Sequence, residues 1–142
     1  MQDLWGGGCV TLSGPENREA REWYIRNQMP VIAYSSLARG FFSGRFRSDD
    51  PEGARRVLDS YAAKGYLYPE NLERLRRAEI LAQRYGVSVP EIAMRYIFGS
   101  RMNVYAVVST SSEDRLKMNI RAAEHPLSSE DIAWLENDHE QV

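Results

Sequence analysis

The sequence predicts an α/β fold whose parallel strands are part of a larger sheet or barrel. Three observations lead there. Two short apolar runs, VIAY at 31–34 and VYAVV at 104–108, suit strands, and the segments around them carry the 3.6-residue apolar period of helices. Helical segments stand between the two runs, which is the order of parallel strands joined by crossovers. Only two convincing strands are present, and two parallel strands leave their faces uncovered and their edges unpaired.

The elements follow in order. Residues 1–14 read as an irregular entry segment punctuated by Gly6, Gly7 and Gly8. Ser13 and Glu16 have capping-box spacing, with Pro15 between them near the first turn, so a helix is expected over 15–27. Ala20, Trp23 and Tyr24 share one of its faces. The strand at 31–34 runs into SSLARG at 35–40. Residues 45–70 show no clean period and hold Gly, Pro, charge and three tyrosines, so they read as a long loop with short helical pieces. Leu72, Leu75, Ala78, Ala82 and Tyr85 step by three or four and predict a helix over 71–85, stopped by Gly86. Ser88 and Glu91 form a second capping box ahead of Ile92, Ala93, Tyr96 and Ile97, and Gly99 ends that helix. After the strand at 104–108, a helix is expected over 112–123, with Glu113 and Asp114 at its positive end. A last helix starts at Ser128 and runs to 137.

Composition narrows the function classes. The chain has 142 residues, 43% hydrophobic and 27% charged, with a formal net charge of −2. That suits one globular domain, and the slight acidity argues against nucleic acid, which wants a basic face. The single Cys9 excludes an internal disulfide framework and fits a reducing, cytoplasmic setting. No apolar run is long enough for a spanning helix, and the start lacks the basic flank and apolar core of a secretory signal.

The chemistry-bearing stretch is 104–119. A strand leads into Ser109, Thr110, Ser111 and Ser112, and then into a helix carrying Arg115, Lys117 and Asn119. Hydroxyls and a cation at a helix N-terminus are a physical means of holding phosphate. The upstream unit at 31–40 repeats the strand-to-loop form, and the pair points to a dinucleotide site. Plainer readings stand beside these. One hydroxyl serves as the helix cap, Arg115 pairs with Glu113 or Asp114, and Asn119 is an exposed helix residue. Likewise Tyr34 is a core aromatic, and Arg39 reaches a carboxylate instead of a phosphate. Tyr61, Tyr66 and Tyr68 form either a cofactor lid or a packed loop. No His, Cys, Asp or Glu cluster has metal-ligand spacing.

At VIAYSSLARGFFSGR, 31–45, the sequence resembles the aldo/keto reductase family, which shows a strand, an aromatic, a small residue, Leu and then Gly-x-x-x-Gly. YGVSVPEIAMRY at 85–96 is similar to the family's helix before its last barrel strand. VVSTSSEDRLKMN at 107–119 is similar to its strand-eight cofactor motif, and LSSEDIAWL at 127–135 to its closing helix. The resemblance covers 15–138 in consistent order, and it implies a partial (β/α)8 TIM barrel, the C-terminal part with the last two strands and their helices.

The resemblance also implies roles. Tyr34 lies against the nicotinamide ring, and Ser35, Leu37 and Gly40 line the pyrophosphate; Arg39, from its own place in the loop, is a further cofactor-binding candidate, reaching a phosphate or a carboxylate. Ser109 and Thr110 face the adenosine phosphate, Arg115 holds the 2′-phosphate or stacks near adenine, and Asn119 bonds the adenine edge. The family often places Pro-Gly or Pro-Lys where this chain has Val108 and Ser109. The phosphate cation of the Lys variant is thus replaced by Arg115 and the hydroxyls. NADP is the implied cofactor, with NAD as the alternative, and an aldehyde or ketone is the implied substrate of the complete barrel.

The family's catalytic Asp, Tyr, Lys and His come from the N-terminal half of the barrel, and no residue here takes their place. The chain is therefore expected to start after strand six, as a fragment or beside a partner that carries the first half. The alternative is an inert truncated chain, or a cofactor-sensing or self-associating subunit. The isolated chain is expected to show no reductase activity. An assay of NADPH oxidation with a carbonyl substrate checks this, and turnover above a buffer control overturns it.

Overall fold

The computed structural model describes Leu12 and residues 17–136. The Ser13 and Glu16 capping box and most of the irregular entry segment lie outside the described residues. What is described is a mostly helical α/β structure around a small parallel sheet. Helix α1, Arg18–Asn27, ends where Gln28 turns left-handed at φ 49°. The Gln28 side chain donates to the Arg101 carbonyl at 3.2 Å, and Asn103 Nδ2 donates to the Gln28 carbonyl at 3.1 Å. The exit from α1 is thereby tied to the segment that enters the second strand.

Strand β1, Val31–Ala33, pairs in parallel with β2, Val104–Ala106, with Val31 opposite Val104 and Ala33 opposite Ala106. Both are shorter than the apolar runs 31–34 and 104–108. The ladder stops because Ser35 takes a left-handed φ of 54° and turns the chain away. The last rung is the Val107 N–H donating to the Ala33 carbonyl at 2.8 Å.

Between the strands stand four helices. The segment expected to be a loop with short helical pieces is ordered as α2, Pro51–Val57, and α3, Ser60–Tyr66. An aspartate starts each one. Asp50 accepts from the Gly53 N–H at 2.8 Å, and Asp59 accepts from the Ala62 N–H at 2.7 Å. Seven residues are too few to display a clean apolar period, so the helices are announced by their caps and not by their faces. Helix α4, Pro69–Tyr85, ends at Gly86 with φ 65°, and α5, Val89–Phe98, is capped by Ser88. After β2 come α6, Glu113–Glu124, and α7, Ser129–Glu136.

The core is made by helices and by the aromatic turn after β1. One buried cluster joins Phe41, Phe46, Ala54, Leu58, Ala62 and Leu75. A second joins Ala78, Leu81, Ala82, Ile92, Leu127 and Leu135, and Phe42 and Val89 pack against both. Neither cluster contains a strand residue. Ile32 is 71% exposed and its register partner Tyr105 is 58% exposed. Gly99 marks a close approach of α5 to the start of α7, since a Cβ there would lie 2.7 Å from both the Leu127 carbonyl and the Ile132 side chain. No helix among the described residues is long and apolar enough to cross a membrane.

A buried carboxylate holds α5 to α6. Glu91 is 1% exposed, and its two oxygens accept from Arg121 Nε at 3.1 Å and Nη2 at 2.6 Å. Arg95, one turn further along α5, donates to the same carboxylate at 2.8 Å. Only the Ser88 half of the expected capping box forms, its Oγ accepting from the Glu91 N–H at 3.4 Å, because the Glu91 side chain turns inward to two guanidiniums. The Arg121 hydrogen bond, with help from Arg95, holds the Glu91 carboxyl below its ordinary value of 4.5 against the opposing effect of burial. A lowered folded value means that the pair stabilises fully above pH about 4.5 and is lost as pH falls through the folded value. Glu91→Gln is expected to cost roughly 3 kcal/mol at neutral pH, the lower end for a broken buried pair because Arg121 is half exposed. Its acid unfolding limb should also be shallower than that of the wild type. Urea melts between pH 3 and 7 check this, and equal stability of the two proteins at neutral pH would sink it.

Candidate functional site

Parallel pairing brings the loops that follow β1 and β2 to one end of the sheet. Ser36 joins them: its hydroxyl donates to the Val107 carbonyl at 3.1 Å. Sequence reasoning passed over Ser36 in favour of its neighbours. Nothing in a Ser-Ser pair tells which hydroxyl will cross to the other strand.

The loop after β1 is strained. Ser35, Ala38 and Arg39 have φ of 54°, 49° and 53°, and Gly40 follows at 94°. Only Gly40 adopts such a backbone without penalty, and a Cβ there would also meet Arg45 Nη2 at 2.9 Å. A left-handed residue other than glycine costs on the order of 1–2 kcal/mol, so surrounding contacts must hold the turn. Inside it, the Ala38 N–H donates to the Ser35 carbonyl at 2.7 Å, and the Gly40 and Phe42 N–H groups donate to the Leu37 carbonyl at 3.0 and 3.2 Å. Phe41 roots the turn in the first core cluster. Arg39 Nη2 donates to Asp59 Oδ2 at 2.9 Å, and its guanidinium lies 5.8 Å from the Tyr61 ring centre. Arg39 thus reaches a carboxylate, the plainer of its two expected roles. Tyr34, at the strand end, is exposed and belongs to neither core cluster.

The loop after β2 is organised by its own hydroxyls. Thr110 Oγ1 accepts from the Ser112 N–H at 3.1 Å, and Ser112 Oγ accepts from the Arg115 N–H at 3.4 Å. Ser112 is thus the cap that the sequence required of one of the four hydroxyls. Ser109 and Arg115 are exposed, and Asn119 is half-buried further along α6. Glu113 pairs with Lys117 at 2.7 Å, and among the described residues Arg115 forms no ion pair.

The structure therefore brings the turn carrying Tyr34, Ser35, Leu37 and Gly40 next to the loop carrying Ser109 and Thr110. It turns Arg39 towards the start of α3. The three tyrosines divide: Tyr61 lies under Arg39, and the half-buried Tyr66 packs against the first core cluster, with its hydroxyl pushed up by burial. Tyr68 donates to the Lys64 carbonyl at 2.7 Å. Trp5, Cys9 and His139 lie outside the described residues, and His125 follows the last turn of α6. Among the described residues, no group of three or more His, Cys, Asp or Glu is placed to hold a metal ion. The two loops thus set adjacent left-handed residues beside a run of hydroxyls at the start of α6, with Ser36, Thr110 and Ser112 already engaged within the protein.

Comparison with known proteins identifies the family. The protein named Probable pyridoxal reductase 2 from Schizosaccharomyces pombe is 27% identical over 112 residues, which cover 73% of this chain and 33% of that protein. The L-glyceraldehyde 3-phosphate reductase of Escherichia coli O157:H7 is 25% identical over 115 residues, covering 78% of this chain and 33% of its own length. An S. pombe aldo-keto reductase, yakc, whose name carries NADP(+), is 25% identical over 105 residues, covering 72% of this chain and 30% of that protein. The chain thus spans about a third of the length of the curated relatives it matches. Residues 12–138 match the aldo/keto reductase family as a whole. With nearly the whole sequence inside that match, and the strand-turn units in their matching order, this chain belongs to the aldo/keto reductase family.

Proposed function

We propose that this chain is the cofactor-holding C-terminal part of an NADP-dependent aldo/keto reductase barrel, which reduces aldehydes or ketones by hydride transfer. The observation that carries the reading is the strained turn after β1, bonded through Ser36 to the loop after β2 at one end of a parallel sheet. Strain that neighbouring structure must maintain marks functional positions, and in (β/α)8 barrels the loops after the last two strands commonly bind phosphate. Family membership supports the reading as an oxidoreductase, and with it the barrel.

In this reading Tyr34 lies along the nicotinamide ring, and Ser35, Leu37 and Gly40 line the pyrophosphate. Arg39 stands behind them. Ser109 and Thr110 face the adenosine phosphate, Arg115 grips the 2′-phosphate and Asn119 meets adenine. The donor set fits the group: a guanidinium without an ion pair among the described residues and hydroxyls beside a helix start are chemically matched to phosphate oxygens. The cofactor supplies the hydride, and NAD is the alternative. The bare strand faces also favour a second reading, in which the chain is an association or cofactor-sensing subunit. Ile32 and Tyr105 offer an apolar surface that only further protein would cover.

Titration of the folded chain with NADPH and NADH, alone and with a complementary N-terminal barrel half, tests the proposal. Arg115→Ala is expected to weaken NADPH roughly tenfold or more, the effect of losing a charge-assisted hydrogen bond, and NADH much less. If the wild-type chain binds neither dinucleotide in either setting, the cofactor reading fails. Equal losses for the two dinucleotides would remove the 2′-phosphate from Arg115.

A further inference from the structure

Asp59 lies on the crossover and does two jobs with its two oxygens. Oδ1 accepts from the Ala62 N–H at 2.7 Å and caps α3, while Oδ2 accepts from Arg39 Nη2 at 2.9 Å. Tyr61, in the first turn of the same helix, lies beneath the same guanidinium. The start of α3 therefore grips, from two residues, the one side chain that projects from the middle of the left-handed turn. The ends of that turn are secured otherwise, by Ser36 on the Val107 carbonyl and by Phe41 in the core. At its centre Ala38 and Arg39 hold two consecutive left-handed conformations that L-residues avoid.

We propose that Asp59 is a positioning residue: by clamping the Arg39 guanidinium it holds the left-handed backbone of residues 38–40 ready for the dinucleotide. This assignment rests on the cofactor reading above. Asp59 itself touches no ligand, and acts only through Arg39. The capping job is separable from the clamp, because Asn caps a helix about as well as Asp but carries no charge for Arg39.

The test is Asp59→Asn in the full chain, alone and in an Arg39→Ala background. Far-UV circular dichroism and the melting midpoint should change little, since α3 keeps its cap. Amide exchange at residues 38–41 should rise roughly two- to fivefold, the range of a part-exposed ion pair. The NADPH Kd should rise by a similar factor. In the Arg39→Ala background, Asp59→Asn should add nothing to either readout, which a merely structural role for Asp59 would not produce. Unchanged exchange overturns the clamp. Faster exchange with an unchanged or lowered Kd overturns the positioning role. If the wild-type chain takes up no NADPH, the cofactor reading is what fails, and exchange at 38–41 alone then decides whether the clamp exists.

Discussion

The placement of the site depends on one buried carboxylate. Glu91 enters the space between α5 and α6 with almost no solvent contact, and a lone carboxylate there would be costly to desolvate. The planar fork of Arg121 meets both its oxygens, so the contact fixes the rotation of α6 about its axis as well as its distance. Arg121 lies in the last turns of α6, and Ser112 and Arg115 lie at its first. A helix is stiff over this length, so clamping its far end aims its near end at the strand tips. The apolar contribution of α6 is small, since Ala122 is its one buried residue. The ion pair therefore adds a fixed rotational setting to the close contact between α5 and α6.

The other end of the core is handled differently. Asp131 accepts from Arg84 at 3.1 Å and from the Tyr85 hydroxyl, and the buried Arg77 donates to the Trp134 carbonyl at 2.9 Å. Helix α7 is thus stitched to α4 by polar groups around a small apolar seam of Leu127 and Leu135. The bond to Asp131 also pushes the Tyr85 hydroxyl up from its ordinary value, with burial second. Both outer helices are held by specific charged contacts on the rigid pair α4 and α5.

What was legible in the sequence follows from the range of each signal. The 17-residue α4 displays its apolar face over several turns, and Gly86 closes it, so the helix is plain from 71–85 alone. Ser88 was readable as a cap, and one of the four hydroxyls at 109–112 as another, because capping is decided within three residues. The fate of the Glu91 side chain was not, because its partner Arg121 lies on another helix. For the same reason the carboxylate that Arg39 meets was not legible, because Asp59 comes to it from the start of α3. That the loops after the two strands meet at one end of the sheet was legible from the strand-loop-helix order. The wiring of these loops through Ser36 and Asp59 was not, since both contacts cross the fold.

The strand pairing has a consequence for how order is acquired. Bringing Val31 to Val104 closes a loop that contains the entire crossover, and for a flexible chain of about 70 residues the entropy of that closure is about 4 kcal/mol. Three-residue strands that expose one face and only half-bury the other recover little of it. Helices α4 and α5, which contact each other within the crossover, shorten the effective loop that the pairing has to close. The parallel ladder therefore leans on the helices of its own crossover.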